Sequence, residues 1–190
     1  LDWKGDSQYS VAWTKSTGES VVSHFISEGD VEWYQPLEQN ITRLEWSAHS
    51  DSLYVGLLGE GQVLVLDAAG QLVSSHGWHA YKDSRSDVRA LAMNGAGTEL
   101  ASAGQDGSIE VWNILDTGGL SLEGILDSSI MREFEIDVAG TMVAIAQGSG
   151  SLDIHDLKTG HRMRSCQHPD WGDDTVSVPY VKSVKWLTRD

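Results

Sequence analysis

Four residues near the C-terminal end, His161, Cys166, His168 and Asp170, have the donor chemistry to hold zinc, since imidazole, thiolate and carboxylate all bind that ion. Their spacing matches no closed metal site. In an extended strand His161 and Cys166 also differ by an odd number of residues and point to opposite faces, so the segment reads as a strand followed by an acidic loop. "GSGS", 148–151, is Gly-rich but precedes a strand, and a phosphate cradle needs a helix there. No Gly-x-Ser-x-Gly elbow occurs among the serine-rich runs. Adjacent acids such as Asp173 and Asp174 read as solvated loop residues. These residue types therefore predict no catalytic residue, no metal and no cofactor.

Helical periodicity is almost absent from the chain. Short runs of alternating or continuous β-type residues recur between Gly, Asp, Asn and Ser turns, which predicts an all-β fold. The runs are phased in repeats of roughly forty residues. One reads "SVAWTKSTGESVVSHFISEGDVEWYQ" and the next "RLEWSAHSDSLYVGLLGEGQVLVLD". The third is "ALAMNGAGTELASAGQDGSIEVWN" and the fourth "EFEIDVAGTMVAIAQGSGSLDIHD", and a fifth starts at "SVKWLTRD". Val11, Leu44, Leu91, Phe134 and Val184 align in the first strand, followed two residues later by Trp13, Trp46, Met93, Ile136 and Trp186. Gly29, Gly61, Gly107 and Gly150 align in a tight turn that favours positive φ.

This pattern resembles the WD-repeat β-propeller family over nearly the whole chain. The resemblance implies four four-stranded blades plus a partial blade, at about 8–40, 41–86, 87–127, 128–178 and 179–190 of one domain, 1–190. Ala101, Ser102, Ala103 and Gly104 would let neighbouring blades approach, and Asp106-Gly107 would make a hairpin. The family's buried network of Asp, His, Ser and Trp is attainable only in the third copy, through Asp106, His79, Ser102 and Trp112. Elsewhere Glu28, Glu60 and Ser149 replace the turn aspartate. The dipeptides Tyr34-Gln35, Leu66-Asp67, Trp112-Asn113 and His155-Asp156 replace Trp-Asp. His24 and His155 are expected as packing histidines. Propellers close with about four to eight blades, and four copies with a fragment are expected to form an open arc. Further blades or another chain would complete it, in keeping with a start at Leu1 that suggests a segment of something longer.

Composition bounds the function. Thirteen basic residues against 28 acidic ones give a net charge of -15, which repels nucleic acid and anionic membranes and favours protein partners with basic patches. The densest basic stretch, "KTGHRMR" at 158–164, reads as a solvated turn and strand. A single cysteine fits a reducing intracellular compartment, cytoplasmic or nuclear, and no apolar run is long enough for a membrane helix. Propellers of this family act as rigid platforms without catalysing, so the expected function is a non-enzymatic scaffold subunit of a multiprotein complex. Two loops are long enough to bind partners: 76–87, with Trp78, Tyr81, Lys82 and Arg85, and 168–180, with Trp171 and Tyr180. The alternative within the same fold is a substrate receptor of a cullin-type ubiquitin ligase, for which Asp156 and Lys158 in "IHDLK" are the nearest match. A propeller enzyme would need a repeated set of acids or metal ligands facing the channel, and the copies contain none.

Overall fold

The structure is a computed structural model, and it describes residues 2–4, 8–26, 29–77, 79–81, 84–85, 87–127, 134–139, 141–147, 151–167 and 184. Runs rich in Val, Ile, Leu, Trp and Tyr become strands, and the polar glycine-containing segments between them become turns. Sheet 1 comprises β1 (Asp2–Lys4), β2 (Gln8–Thr14), β3 (Ser20–Phe25) and β4 (Val31–Leu37). Sheet 2 comprises β5 (Ile41–Ser47), β6 (Ser52–Leu57), β7 (Val63–Leu66) and β8 (Leu72–His76). A small hairpin of β9 (Ala80–Tyr81) and β10 (Ser84–Arg85) leads to sheet 3, made of β11 (Val88–Met93), β12 (Glu99–Gly104), β13 (Ser108–Ile114) and β14 (Leu120–Asp127). Sheet 4 comprises β15 (Phe134–Ala139), β16 (Met142–Gln147), β17 (Ser151–Asp156) and β18 (Arg162–Gln167). Within each sheet the strands pair antiparallel in chain order.

The sheets stack through their first strands. β5 meets β1 and β2, β11 meets β5 and β6, and β15 meets β11 and β12. Side-chain alternation then decides what each boundary contains. At the first boundary Val22 packs with Leu44, Trp46, Leu53, Val55 and Leu66 of sheet 2. At the second, Tyr54, Val63 and Val65 of sheet 2 face Leu91, Met93, Leu100, Trp112 and Ile114 of sheet 3. The opposite face of sheet 3 presents Ala90, Ala92, Ala101 and Ala103 with Ile109 and Val111, and these pack against Val143 and Ile145 of sheet 4. The alanines are thus the part of sheet 3 on which sheet 4 packs.

The first repeat is framed differently from its sequence alignment. Each sheet has a register shift where its third strand pairs with its fourth: His24/Phe25, Val65/Leu66, Val111/Trp112 and Ile154/His155. The recurrence makes β3 the counterpart of β7, β13 and β17, so Phe25-Ile26, not Tyr34-Gln35, stands where Trp112-Asn113 stands in sheet 3. Val11 and Trp13 accordingly lie on the second strand of sheet 1, and Gly29 lies in its third turn. The corner shared with Gly61 and Gly107 belongs to Gly18. The inner strand β1, only three residues long, carries too little alternation to be read as a strand, yet it gives sheet 1 its full four and starts the repeat before residue 8. Gly150 and nearly all of the expected fifth start fall outside the described residues.

The turns between third and fourth strands lie against the preceding sheet. Gly118 has a φ of 82°, and a Cβ there would run into the Ser52 side chain of sheet 2. Gly18 has a similar φ of 89° but open space around it. Gly18→Ala should therefore cost only the left-handed backbone penalty, about 1–2 kcal/mol. Gly118→Ala adds overpacking and should cost about 2–4 kcal/mol. Urea unfolding of both variants checks the ordering, and equal losses would contradict the close approach.

Candidate functional site

Sheet 3 holds the polar network at its boundary with sheet 2. The Asp106-Gly107 turn between β12 and β13 is closed by Gly107 N donating to Gly104 O at 3.1 Å. Asp106 Oδ1 accepts from Ser108 N at 3.0 Å, and Ser108 Oγ donates to Asp106 Oδ2 at 2.8 Å. The Ser108 hydroxyl proton is thereby committed, so its oxygen accepts from His79 Nδ1 at 2.9 Å. On the other side of the ring, His79 Nε2 is 3.1 Å from Ser102 Oγ, which accepts from Trp112 Nε1 at 3.0 Å. Glu110, directly across the strand pair from Ser102, brings Oε2 to 3.4 Å from Nε2. Gly104 completes the pocket by omission, because a Cβ there would meet the imidazole and the Asp106 carboxylate.

Ser, His and Asp in sequence of contact suggest nucleophilic chemistry by residue type, but the burial argues for structure. Ser102 is fully buried and His79 nearly so, and the serine oxygen is already bonded to an indole. A nucleophile needs room for a carbonyl carbon beside it. What the arrangement does is fix a loop. Burial pushes the Asp106 carboxyl up, but hydrogen bonds from His79 and from the Ser108 backbone and hydroxyl outweigh it, and the pKa lies below the ordinary carboxylate value.

His79 belongs to the 76–87 loop, and that loop is tied down at both ends. His79 N donates to Gly61 O at 3.1 Å in the β6–β7 turn. At the far end Asp87 O accepts from Gln105 N at 3.0 Å, and Asp87 Oδ1 accepts from Gly59 N at 2.8 Å. Between these anchors runs the β9–β10 hairpin, with Tyr81 opposite Ser84 and Arg85 opposite Ala80. His76, at the end of β8, meets the Trp112 ring edge-on at 6.0 Å. Trp78 and Lys82 of this loop, and Trp171 and Tyr180 of the other, lie outside the described residues.

The remaining sequence candidates fall elsewhere. His161 and Cys166 are exposed, in the β17–β18 turn and on β18, and His168 and Asp170 lie outside the described residues. His155 packs at the end of β17 with Nδ1 3.1 Å from Gly160 O. Asp156 Oδ1 accepts from Thr159 N at 2.7 Å and Lys158 N at 3.1 Å, so it shapes the turn on which Lys158 is exposed. Asp67 Oδ1 does the same for Ala69 and Gln71. The turn-capping role of Asp67 and Asp156 was not read from their dipeptides, although Asp at the start of a turn is its ordinary signature. A second Ser-His-Trp cluster, Ser10, His24 and Trp46, joins sheets 1 and 2. It was invisible as a linear motif because its members come from three strands in two repeats.

No family model matches the sequence, and no curated protein is significantly similar to it. Solved structures do match. A chain in a crystal structure of the mitotic checkpoint complex superposes with a TM-score of 0.64 at 20% identity, over 87% of this chain and 48% of that one. The Myceliophteria thermophila Cps50 (Swd1) beta-propeller domain gives 0.62 at 18%, over 84% of this chain and 56% of that one. The computationally designed Ika8 protein gives 0.65 at 20%, over 93% and 52%. The chain thus spans about half the length of these matches. Its fold is that of a β-propeller, with four four-stranded blades forming an arc that is not closed among the described residues. Among those residues no helix is long and apolar enough to cross a membrane.

Asp106→Asn should destabilise the chain at neutral pH by about 1–3 kcal/mol, the usual worth of hydrogen bonds to a charged group. A depressed carboxyl pKa contributes stability that is complete above the unfolded value, about 3.9, and lost as pH falls through the lower folded value. Thermal unfolding of wild type and variant should therefore converge below about pH 4. A constant gap through that range would contradict the assignment.

Proposed function

We propose that the chain is part of a divergent WD-repeat propeller and acts as a non-enzymatic scaffold subunit of an intracellular multiprotein complex. The observation that carries this reading is the double anchoring of the 76–87 loop by His79 and Asp87. A loop bearing Trp78, Tyr81, Lys82 and Arg85 and fixed at both ends loses little entropy when it engages a partner. Aromatic residues and arginine also dominate interface energetics. The similar propellers include a chain of the mitotic checkpoint complex, which is compatible with a subunit role. The half-length coverage of the matches supports an arc completed by further blades or another chain. The net charge of -15 points to partners with basic patches, with encounter rates that fall as salt rises.

The test is affinity capture from cell extract with the intact chain and with alanine at Trp78, Tyr81, Lys82 and Arg85 together. Partners recovered in fixed stoichiometry should drop at least about tenfold with the variant, equivalent to one strong interface contact, while its melting temperature stays unchanged. Undiminished recovery from a folded variant would contradict the assignment of this loop.

A further inference from the structure

The boundary between sheets 1 and 2 contains a buried titratable group that the scaffold reading leaves without a role. His24 on β3 is fully buried. Trp33 of β4 stacks on it at 5.2 Å with an interplanar angle of 22°, and Trp46 of β5 lies 5.1 Å away at 55°. Each indole also ties the two sheets together. Trp33 Nε1 donates to Ala68 O at 2.8 Å in the β7–β8 turn, and Trp46 Nε1 donates to Ser10 Oγ of β2 at 3.0 Å.

Ser10 Oγ is also 2.9 Å from His24 Nδ1. Trp46 Nε1 can only donate, so among the described side chains bonded to Ser10 the ring is the acceptor left for the hydroxyl proton, and this assigns Nδ1 as the acceptor and a neutral imidazole with its proton on Nε2. That nitrogen has no hydrogen-bond partner among the described residues. A second proton on the ring turns Nδ1 into a donor. The Ser10 proton then faces another donor and must turn away from it, in a site with no water-facing surface.

We propose that His24 is a pH-sensitive clasp between the first two blades, which holds Ser10 and Trp46 together while neutral and loosens that boundary when it takes up a proton. The charged groups facing it come from three elements. Lys4 of β1 lies 4.6 Å over the Trp46 ring and pairs with Asp51 of the β5–β6 turn at 2.6 Å. Glu32 of β4 brings Oε2 to 3.6 Å from His24 Nε2. Asp2 of β1 accepts from Trp46 N at 2.6 Å. Glu32 and Asp51 favour the charged ring, as do the indole faces. Burial, the largest influence, and Lys4 oppose it and prevail, so the pKa is lowered from its ordinary value. A lowered histidine pKa gives stability that is complete above about pH 6.5 and lost as pH falls toward the folded value.

Indole hydrogen exchange of Trp46, followed by NMR on the intact chain from about pH 7.5 to about pH 5, tests the clasp. After correction for intrinsic exchange, opening at Trp46 should rise toward about tenfold per pH unit below about pH 6.5, as one proton taken up on opening requires. Backbone amides of Leu91 and Met93 at the next boundary should not follow. In His24→Gln the Trp46 dependence should vanish. A flat Trp46 profile in the wild type, or the same profile in His24→Gln, would overturn the proposal. Should that variant fail to fold, the wild-type imidazole nitrogen shifts decide: an Nε2–H tautomer with a midpoint below about 6.5 supports the clasp, and an Nδ1–H tautomer or a higher midpoint overturns it.

Discussion

Both faces of β11 to β13 in sheet 3 are buried, and the alternation of their side chains assigns each face a different neighbour. Leu91, Met93, Leu100, Trp112 and Ile114 turn toward sheet 2, whereas the four alanines with Ile109 and Val111 turn toward sheet 4. Full burial of one large aliphatic side chain is worth about 1.5–3 kcal/mol, against about 1 kcal/mol for a neutral hydrogen bond. Several such side chains meet at every boundary, so packing sets the stack. The hydrogen-bonded clusters refine it. A one-residue slip in any strand would exchange the two faces and put bulky residues where the alanines admit a neighbour.

Polar groups occur at the boundaries where they fasten something that packing leaves loose. The chain from Trp112 through Ser102, His79 and Ser108 to Asp106 fastens a loop that leaves one sheet and enters the next. The cluster of Ser10, His24 and Trp46 fastens sheet 1 to sheet 2, which covers it on one face. Its other face carries Tyr9 stacked on Phe25 at 5.0 Å, with Trp13 half exposed beside them. A loop anchored at His79 and Asp87 is the physical basis of the scaffold reading, since backbone already tied down at two points has less freedom to lose on binding.

Much of this fold was legible because alternating or continuous β-type runs mark β5 to β7 and β11 to β13, and because Asp106-Gly107 marks a hairpin on its own. The four members of the sheet 3 network were identifiable because the resemblance specifies their residue types. The first repeat was misframed for a physical reason. With β1 reduced to three residues, the strong signal of "SVAWT" looks like an opening strand although β2 is the second. The close approach at Gly118 was missed because sequence spacing shows that a turn exists, not what lies against it. His24 read as a packing histidine, which is half its role. Its partners Ser10 and Trp46 are 14 and, from Ser10 to Trp46, 36 residues apart in sequence, and only the stacked sheets bring them together.

The assignment of faces in sheet 3 is open to direct observation by side-chain nuclear Overhauser contacts in the methyl-labelled chain. Ala101 and Ala103 methyls should contact Val143 and Ile145, and Leu91 and Leu100 methyls should contact the Tyr54 ring. Alanine methyls touching Tyr54, or no contact between Ala101 or Ala103 and sheet 4, would contradict it.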